Sequence, residues 1–232
     1  MQRWRRATPF ALAASLAALL FVGYWQLREP SFQGKPLSQW VMLFVDTNAP
    51  IGWASEKQQR FASDALRHMG PKATMLLFEW ASYDYIEAMR NYQALPAFLS
   101  RSEIVSQYYV NKDRFRNNRA RAAGQALISL GSDANPVLPN LEHLLKTAEP
   151  YGVASRALWI LSGIGEPAVP LLTEAAKNKD TPLRTTIIFN LGQLGHHALA
   201  AVPTLRTFRD EDDDIPVRLQ AARAIEAITG GQ

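Results

Sequence analysis

The chain contains no cysteine. That excludes a disulfide framework, thiolate metal sites and cysteine nucleophiles. It leaves the compartment open, because an exported protein built without disulfides has the same count. Histidine is scarce, at 4 residues of 232. His196 and His197 are adjacent and cannot easily aim at one ion, while His68 and His143 stand in no fixed relation to them. A phosphate loop is also missing. Gly163-Ile164-Gly165 has no preceding strand and no third glycine, and the Gly-Lys-Ser/Thr of a P-loop is not there. The run Asp210 to Asp214 could offer carboxylates to calcium, but it lacks the glycine and distal glutamate of an EF-hand loop. Its simpler reading is a solvated loop feeding a helix N-terminus. Sustained strand alternation bounded by turns is absent as well.

The body of the chain lacks an excess of either charge. The net charge is +4, yet Arg3, Arg5, Arg6 and Arg28 precede the first acidic residue, and without them 21 basic residues face 21 acidic ones. A global argument for nucleic acid fails on that count. With no nucleophile–base pair or metal constellation to assign, the sequence gives no catalytic, cofactor-binding or metal-ligating residue. A non-enzymatic protein is expected, with no cofactor and no small-molecule substrate.

What the chain does have begins at its N-terminus. Ala7 to Leu27 is a run of 21 residues without a charge. As a helix it would span roughly 30 Å, the thickness of a bilayer core. Tyr24 and Trp25 close the run where interfacial rings are favoured, and three arginines precede it. Residues 1–28 are therefore expected to form a single-pass anchor, with the N-terminus cytoplasmic and the C-terminal domain exported. The alternative is a cleaved secretory signal, for which Phe10 to Val22 has a suitable length, and the protein would then be secreted. GYWQLREP offers no small-x-small cleavage site. Residues 29–52 contain Pro30, Gly34, Pro36 and Pro50. They read as a tether with one short helix around Leu37 to Phe44.

The remainder repeats itself. ALISLGSDANPVLP from Ala126, ALWILSGIGEPAVP from Ala157 and NLGQLGHHALAAVP from Asn190 align on Pro139, Pro170 and Pro203, which are 31 and 33 residues apart. AIEAIT from Ala224 and ALRHMG from Ala65 add partial units. Each unit parses into two helices, the first beginning near Pro136, Pro167 or Ala198 and the second near Tyr151, Pro182 or Pro216. In this alignment Ser162 falls on Gly131 and Gly195, so the second helix should end there, with Gly163 and Gly165 reversing the chain. Such periodicity predicts an all-α fold of paired antiparallel helices stacked as a solenoid over 53–232. Residues 81–118 do not fit the repeat and are expected to be an insertion.

Units of this length carrying Ala168-Val169-Pro170-Leu171, Asp180 with Leu183-Arg184, Ala201-Val202-Pro203, Asp214 with Val217-Arg218, and Ala221-Ala222-Arg223-Ala224-Ile225 resemble HEAT repeats of the short, phycocyanobilin-lyase-like type. The anchor, tether and repeat layout also resembles exported bacterial HEAT-repeat proteins. The resemblance implies an α-α superhelix and an interaction scaffold. It also implies an aspartate–arginine ladder inside the solenoid, for which Asp180, Arg184, Asp214 and Arg218 are the candidates. Its alternative implication is an enzyme or cofactor-handling module of the lyase-like kind, for which the chain supplies only scattered carboxylates such as Glu142, Glu174 and Glu226.

One band stands out. In residues 111–121, Lys112, Arg114, Arg116, Arg119 and Arg121 accompany a single Asp113. On a helix Arg114 and Arg121 share one face, and Lys112, Arg116 and Arg119 another. The bland reading is a solvated surface. The functional one is a site for an anionic partner, such as an acidic protein, a lipid headgroup or a cell-envelope polymer. Aromatic residues crowd the same region, among them Phe78, Trp80, Tyr83, Tyr85, Tyr92, Phe98, Tyr108, Tyr109 and Phe115, and are expected mainly to fill gaps in irregular packing. Membrane, through the N-terminal helix, and another protein are the expected partners. A third possibility is self-association through the C-terminal TGGQ.

Overall fold

Glycine punctuates the chain. Gly70, Gly131, Gly165 and Gly195 each stand at the end of a helix with φ between +55° and +86°, a region that side chains rarely enter. The computed structural model describes residues 29–45, 53–147 and 151–230. Its elements are a hairpin, β1 (Ser31–Phe32) and β2 (Lys35–Pro36), followed by twelve α-helices among the described residues. These are α1 (Leu37–Val41), α2 (Glu56–Met69), α3 (Pro71–Ala81), α4 (Tyr85–Gln93), α5 (Ala97–Ser100), α6 (Glu103–Leu130), α7 (Leu138–Thr147), α8 (Tyr151–Ile164), α9 (Val169–Ala175), α10 (Arg184–Gln193), α11 (Val202–Glu211) and α12 (Ile215–Thr229).

The helices pair as the repeat predicts. α7 packs on α8, α9 on α10 and α11 on α12. Second helices then form a row in which α2 touches α6, α6 touches α8, α8 touches α10 and α10 touches α12. The stack also reaches further toward the N-terminus than the proline repeat does. α3 is the first helix of a pair whose second is α6, and α1 with the 3₁₀ turn Met42–Phe44 packs on α2.

Register is kept by compensation. Pro139, Pro170 and Pro203 are exposed at the second residue of α7, α9 and α11, where a missing N–H costs nothing. Ahead of them run 3₁₀ connectors at Gly131–Val137, Glu166–Ala168 and Gly195–Ala201. The middle connector is short because α8 continues past Ser162 to Ile164. Gly165, rather than Ser162, is thus the counterpart of Gly131 and Gly195. Gly163 does not reverse the chain either. It lies within α8, where a Cβ would come within 2.6 Å of Ile128 Cδ1 on α6. Gly124 on α6 is the reciprocal case, where a Cβ would come within 2.5 Å of the Trp159 ring on α8.

Residues 29–45 are not a free tether. The backbone N–H of Ser38 donates to the Glu29 carboxylate, Leu37 N–H donates to Pro30 O at 2.9 Å, and Trp40 Nε1 donates to Phe32 O at 3.2 Å. These bonds fold the hairpin back and press Leu37, Trp40, Val41 and Phe44 into the core, each at 0 or 1% exposure. Burial on that scale contributes roughly 1.5–3 kcal/mol per side chain before entropy. Val45 bridges to Trp53 and so marks where the segment rejoins α2. The expected insertion at 81–118 holds α4, α5 and the N-terminal half of the 28-residue α6. The C-terminal half of α6, rich in buried alanine, joins the row of second helices.

Among the described residues no helix is long and apolar enough to cross a membrane. The apolar run 7–27, residues 46–52 of the expected tether, and Gly231 and Gln232 lie outside the described residues.

Candidate interaction surface

The arginine band lies along α6, and most of its cations rest on aromatic rings. The Arg119 guanidinium sits 4.8 Å from the Trp80 ring centroid and 5.7 Å from that of Phe115. Arg116 lies 5.8 Å from Tyr83, and Lys112 lies 5.5 and 5.8 Å from Tyr108 and Tyr109. On the opposite flank Arg121 is 5.0 Å from Trp53, which stacks on Trp159 of α8 at 5.6 Å. Arg114 is exposed. Each such stack contributes about 0.5–1 kcal/mol at an exposed site, and it holds the charge in place. Burial draws Arg119 below its usual pKa, and repulsion from Arg116 adds to this, while Glu29 and Glu79 oppose it.

Next to the band is a cleft of about 400 Å³ lined by Tyr83, Asn91, Tyr109, Lys112, Asp113 and Arg116. Asp113 is 4% exposed. Its Oδ1 accepts from the Tyr83 hydroxyl at 2.8 Å, and its Oδ2 has no hydrogen-bond partner among the described residues. Burial pushes the Tyr83 phenol up to about 12, and the hydrogen bond to Asp113 and that residue's charge push the same way, while Arg116 opposes them. Arg156, which sequence reasoning passed over, reaches across from α8. Its Nη1 donates to Ala81 O at 2.7 Å and to Tyr83 O at 2.8 Å, closing the C-terminal end of α3 where cations are favoured. Burial lowers its pKa.

The buried ion pair of the repeats is built on a different aspartate from the one the resemblance suggested. Arg184 is buried at 7% exposure, but it pairs with Asp212, itself 7% exposed, in a two-pronged contact. Its Nε also donates to Ala176 O at 2.8 Å, and its guanidinium lies 5.0 Å from the Phe208 ring. Asp212 Oδ1 accepts from Asp214 N–H at 3.1 Å, and Arg218 Nη1 donates to Asp212 O at 2.6 Å. Asp180 and Asp214 are themselves exposed. The acidic run is thus not wholly solvated: its middle residue turns inward. The hydrogen bonds from Arg184 lead in holding the Asp212 carboxyl below its ordinary pKa, against the effect of burial.

The other candidates scatter. Asp210 pairs with Arg209, and Asp213 pairs with Lys179. No group of three or more histidine or carboxylate side chains converges among the described residues. His197 Nδ1 approaches Glu166 Oε2 at 3.6 Å across two connectors, Glu142 pairs with Lys146, and Glu174 pairs with Lys177. The aromatic cluster divides: Trp80 is buried at 5%, while Phe98, Tyr108 and Phe115 are exposed at 75, 59 and 54%. The side chain of Tyr85 lies outside the described residues.

No curated protein and no solved structure matches the chain. Residues 138–226, which run from the first turn of α7 into α12, match the family model described as HEAT repeats.

Proposed function

We propose that the protein is a membrane-tethered, non-enzymatic interaction scaffold. The apolar segment 7–27 anchors it with the N-terminus cytoplasmic, and the helical stack is displayed on the exported side. HEAT repeats generally mediate protein–protein contacts, which favours a scaffold for the matched region. The observation that carries the reading is the outward apolar character of the second helices. Phe189 on α10 is 48% exposed, and Ile215 and Leu219 on α12 are 59 and 57% exposed. They stand on two adjacent helices that cross where Gly192 meets Ala224. Large exposed side chains on an otherwise packed stack are the anchors that a protein partner buries. The α6 band supplies a second, cationic face for an anionic partner. Crosslinking the full chain in its native membrane, followed by affinity capture, tests the reading. Phe189→Asp with Leu219→Asp should remove a discrete set of partners while leaving the thermal melt in place. An activity that survives purification and vanishes with one side chain would overturn it.

A further inference from the structure

We infer that one stripe of α6, formed by Ile104, Tyr108, Lys112, Phe115 and Arg119, rests on the anionic headgroup layer of the membrane that holds the apolar segment. This depends on the anchoring reading above and adds which face of the stack lies against the bilayer. Ile104, Tyr108, Phe115 and Arg119 follow one another at four, seven and four residues, with Lys112 alongside, so they line one side of the helix over about 24 Å. Ile104 is 82% exposed, and Tyr108 and Phe115 are more than half exposed. Lys112 lies over Tyr108, and Arg119 lies over Phe115. Apolar and aromatic groups interleaved with cations suit a headgroup boundary, where rings sit among acyl carbons and ammonium or guanidinium groups meet phosphates.

The path of the chain supplies the second argument. The apolar run ends at Leu27, and the described chain begins at Glu29. Glu29 is held by the Ser38 N–H, and α1 with its 3₁₀ turn packs directly on α6. The Glu29 carboxylate also lies close enough to Arg119 to favour its charged form. A segment leaving the bilayer is therefore delivered to the Arg119 end of the stripe. Tethering at that point raises the local concentration of lipid phosphate, so modest contacts suffice for docking. Arg116 adds positive charge next to Arg119, while Glu29 and Glu79 subtract some. Each cation near an anionic surface shifts docking by roughly fivefold.

The absence of native cysteine makes the test direct. The full chain carries a fluorophore at Asn111→Cys, an exposed position beside the stripe, or at Thr207→Cys on α11 as a distant control. It is placed in nanodiscs of phosphatidylcholine, with or without phosphatidylglycerol, containing headgroup-labelled quencher lipid. Quenching at 111 should exceed that at 207 severalfold in the anionic discs and should fall as salt is raised. Lys112→Glu with Arg119→Glu should reduce the docked-to-undocked ratio by on the order of tenfold or more. Because Arg119 also stacks on Trp80, Lys112→Glu with Phe115→Ser is the second variant, checked by an unchanged thermal melt. Equal quenching at the two positions, or indifference to both variants, overturns the docking alone. Failure of the chain to stay with the discs overturns the anchoring and the docking together. Protection of the label by an acidic polypeptide but not by phosphatidylglycerol assigns the stripe to a protein and also overturns the lipid proposal.

Discussion

Asp212 ends α11 and carries a larger energetic role than its acidic surroundings advertise. Removing one member of a buried, hydrogen-bonded ion pair leaves the other charged and desolvated. Asp212→Ala should therefore cost about 3–5 kcal/mol in a urea titration at neutral pH. Arg184→Met combined with Asp212→Leu should cost much less, since no uncompensated charge remains. The pH dependence has a definite sign. The folded carboxyl titrates below its unfolded value of about 3.9, so the pair contributes fully above that value and is lost as pH falls through the lower, folded one. A pH series in urea should show the wild-type advantage over Asp212→Ala shrinking only on the acid side. At the other end of the stack, Asp113→Asn should bring the Tyr83 phenol down from about 12 toward its ordinary range without reaching it, because burial remains. Tyrosine-resolved NMR titration reads this, and an unmoved Tyr83 would remove Asp113 from its environment.

Helices and their ends decide the boundaries of the domain. Trp40 is 1% exposed and Leu37 0%, so Trp40→Ala should destabilise the whole fold by about 3–5 kcal/mol. A chain begun at Trp53 should melt well below the full chain in calorimetry. Two glycines should fail for different reasons. A Cβ at Gly165 meets nothing within 4 Å, so Gly165→Ala pays only for φ of +86°, about 1–2 kcal/mol. A Cβ at Gly192 would sit 3.0 Å from the Ala224 backbone, so Gly192→Ala must part α10 from α12 at about 1–3 kcal/mol. Equal, negligible costs for both, measured by urea unfolding, would contradict this account of the helix ends and crossings. The proline register, the pairing of helices and the short helix near Leu37 were legible because they rest on local chemistry that the sequence carries. The true end of α8 was not, because three residues added to a helix and removed from the next connector leave proline spacing nearly unchanged. Pro30, Gly34 and Pro36 looked like a tether because turn residues mark a hairpin as well as a linker. Only the long-range burial of Trp40 separates the two. Asp212 was hidden for a similar reason, since inward and outward carboxylates in one acidic run have the same local sequence.

The described residues form a stack with one row of second helices, with outward Phe189, Ile215 and Leu219 on α10 and α12 toward the C-terminus and a cation-on-aromatic band along α6. The band was visible in the sequence as five cations in 111–121. Its seating on Trp53, Trp80 and Phe115 was not, because those rings come from segments distant in sequence as well as from α6 itself. This arrangement gives the scaffold two separable faces, and the central claim is that partners depend on them while chemistry does not. The most direct measurement is crosslinking of the full chain in intact cells, with captured partners compared among the wild type, Phe189→Asp with Leu219→Asp, and Arg114, Arg116, Arg119 and Arg121 all changed to Glu. The account predicts a discrete protein set lost with the α10–α12 variant at an unchanged melt, and altered capture of anionic partners with the α6 variant, whose melt falls by the lost cation–aromatic stacks while the chain stays folded at the assay temperature. An identical capture profile in all three would contradict it.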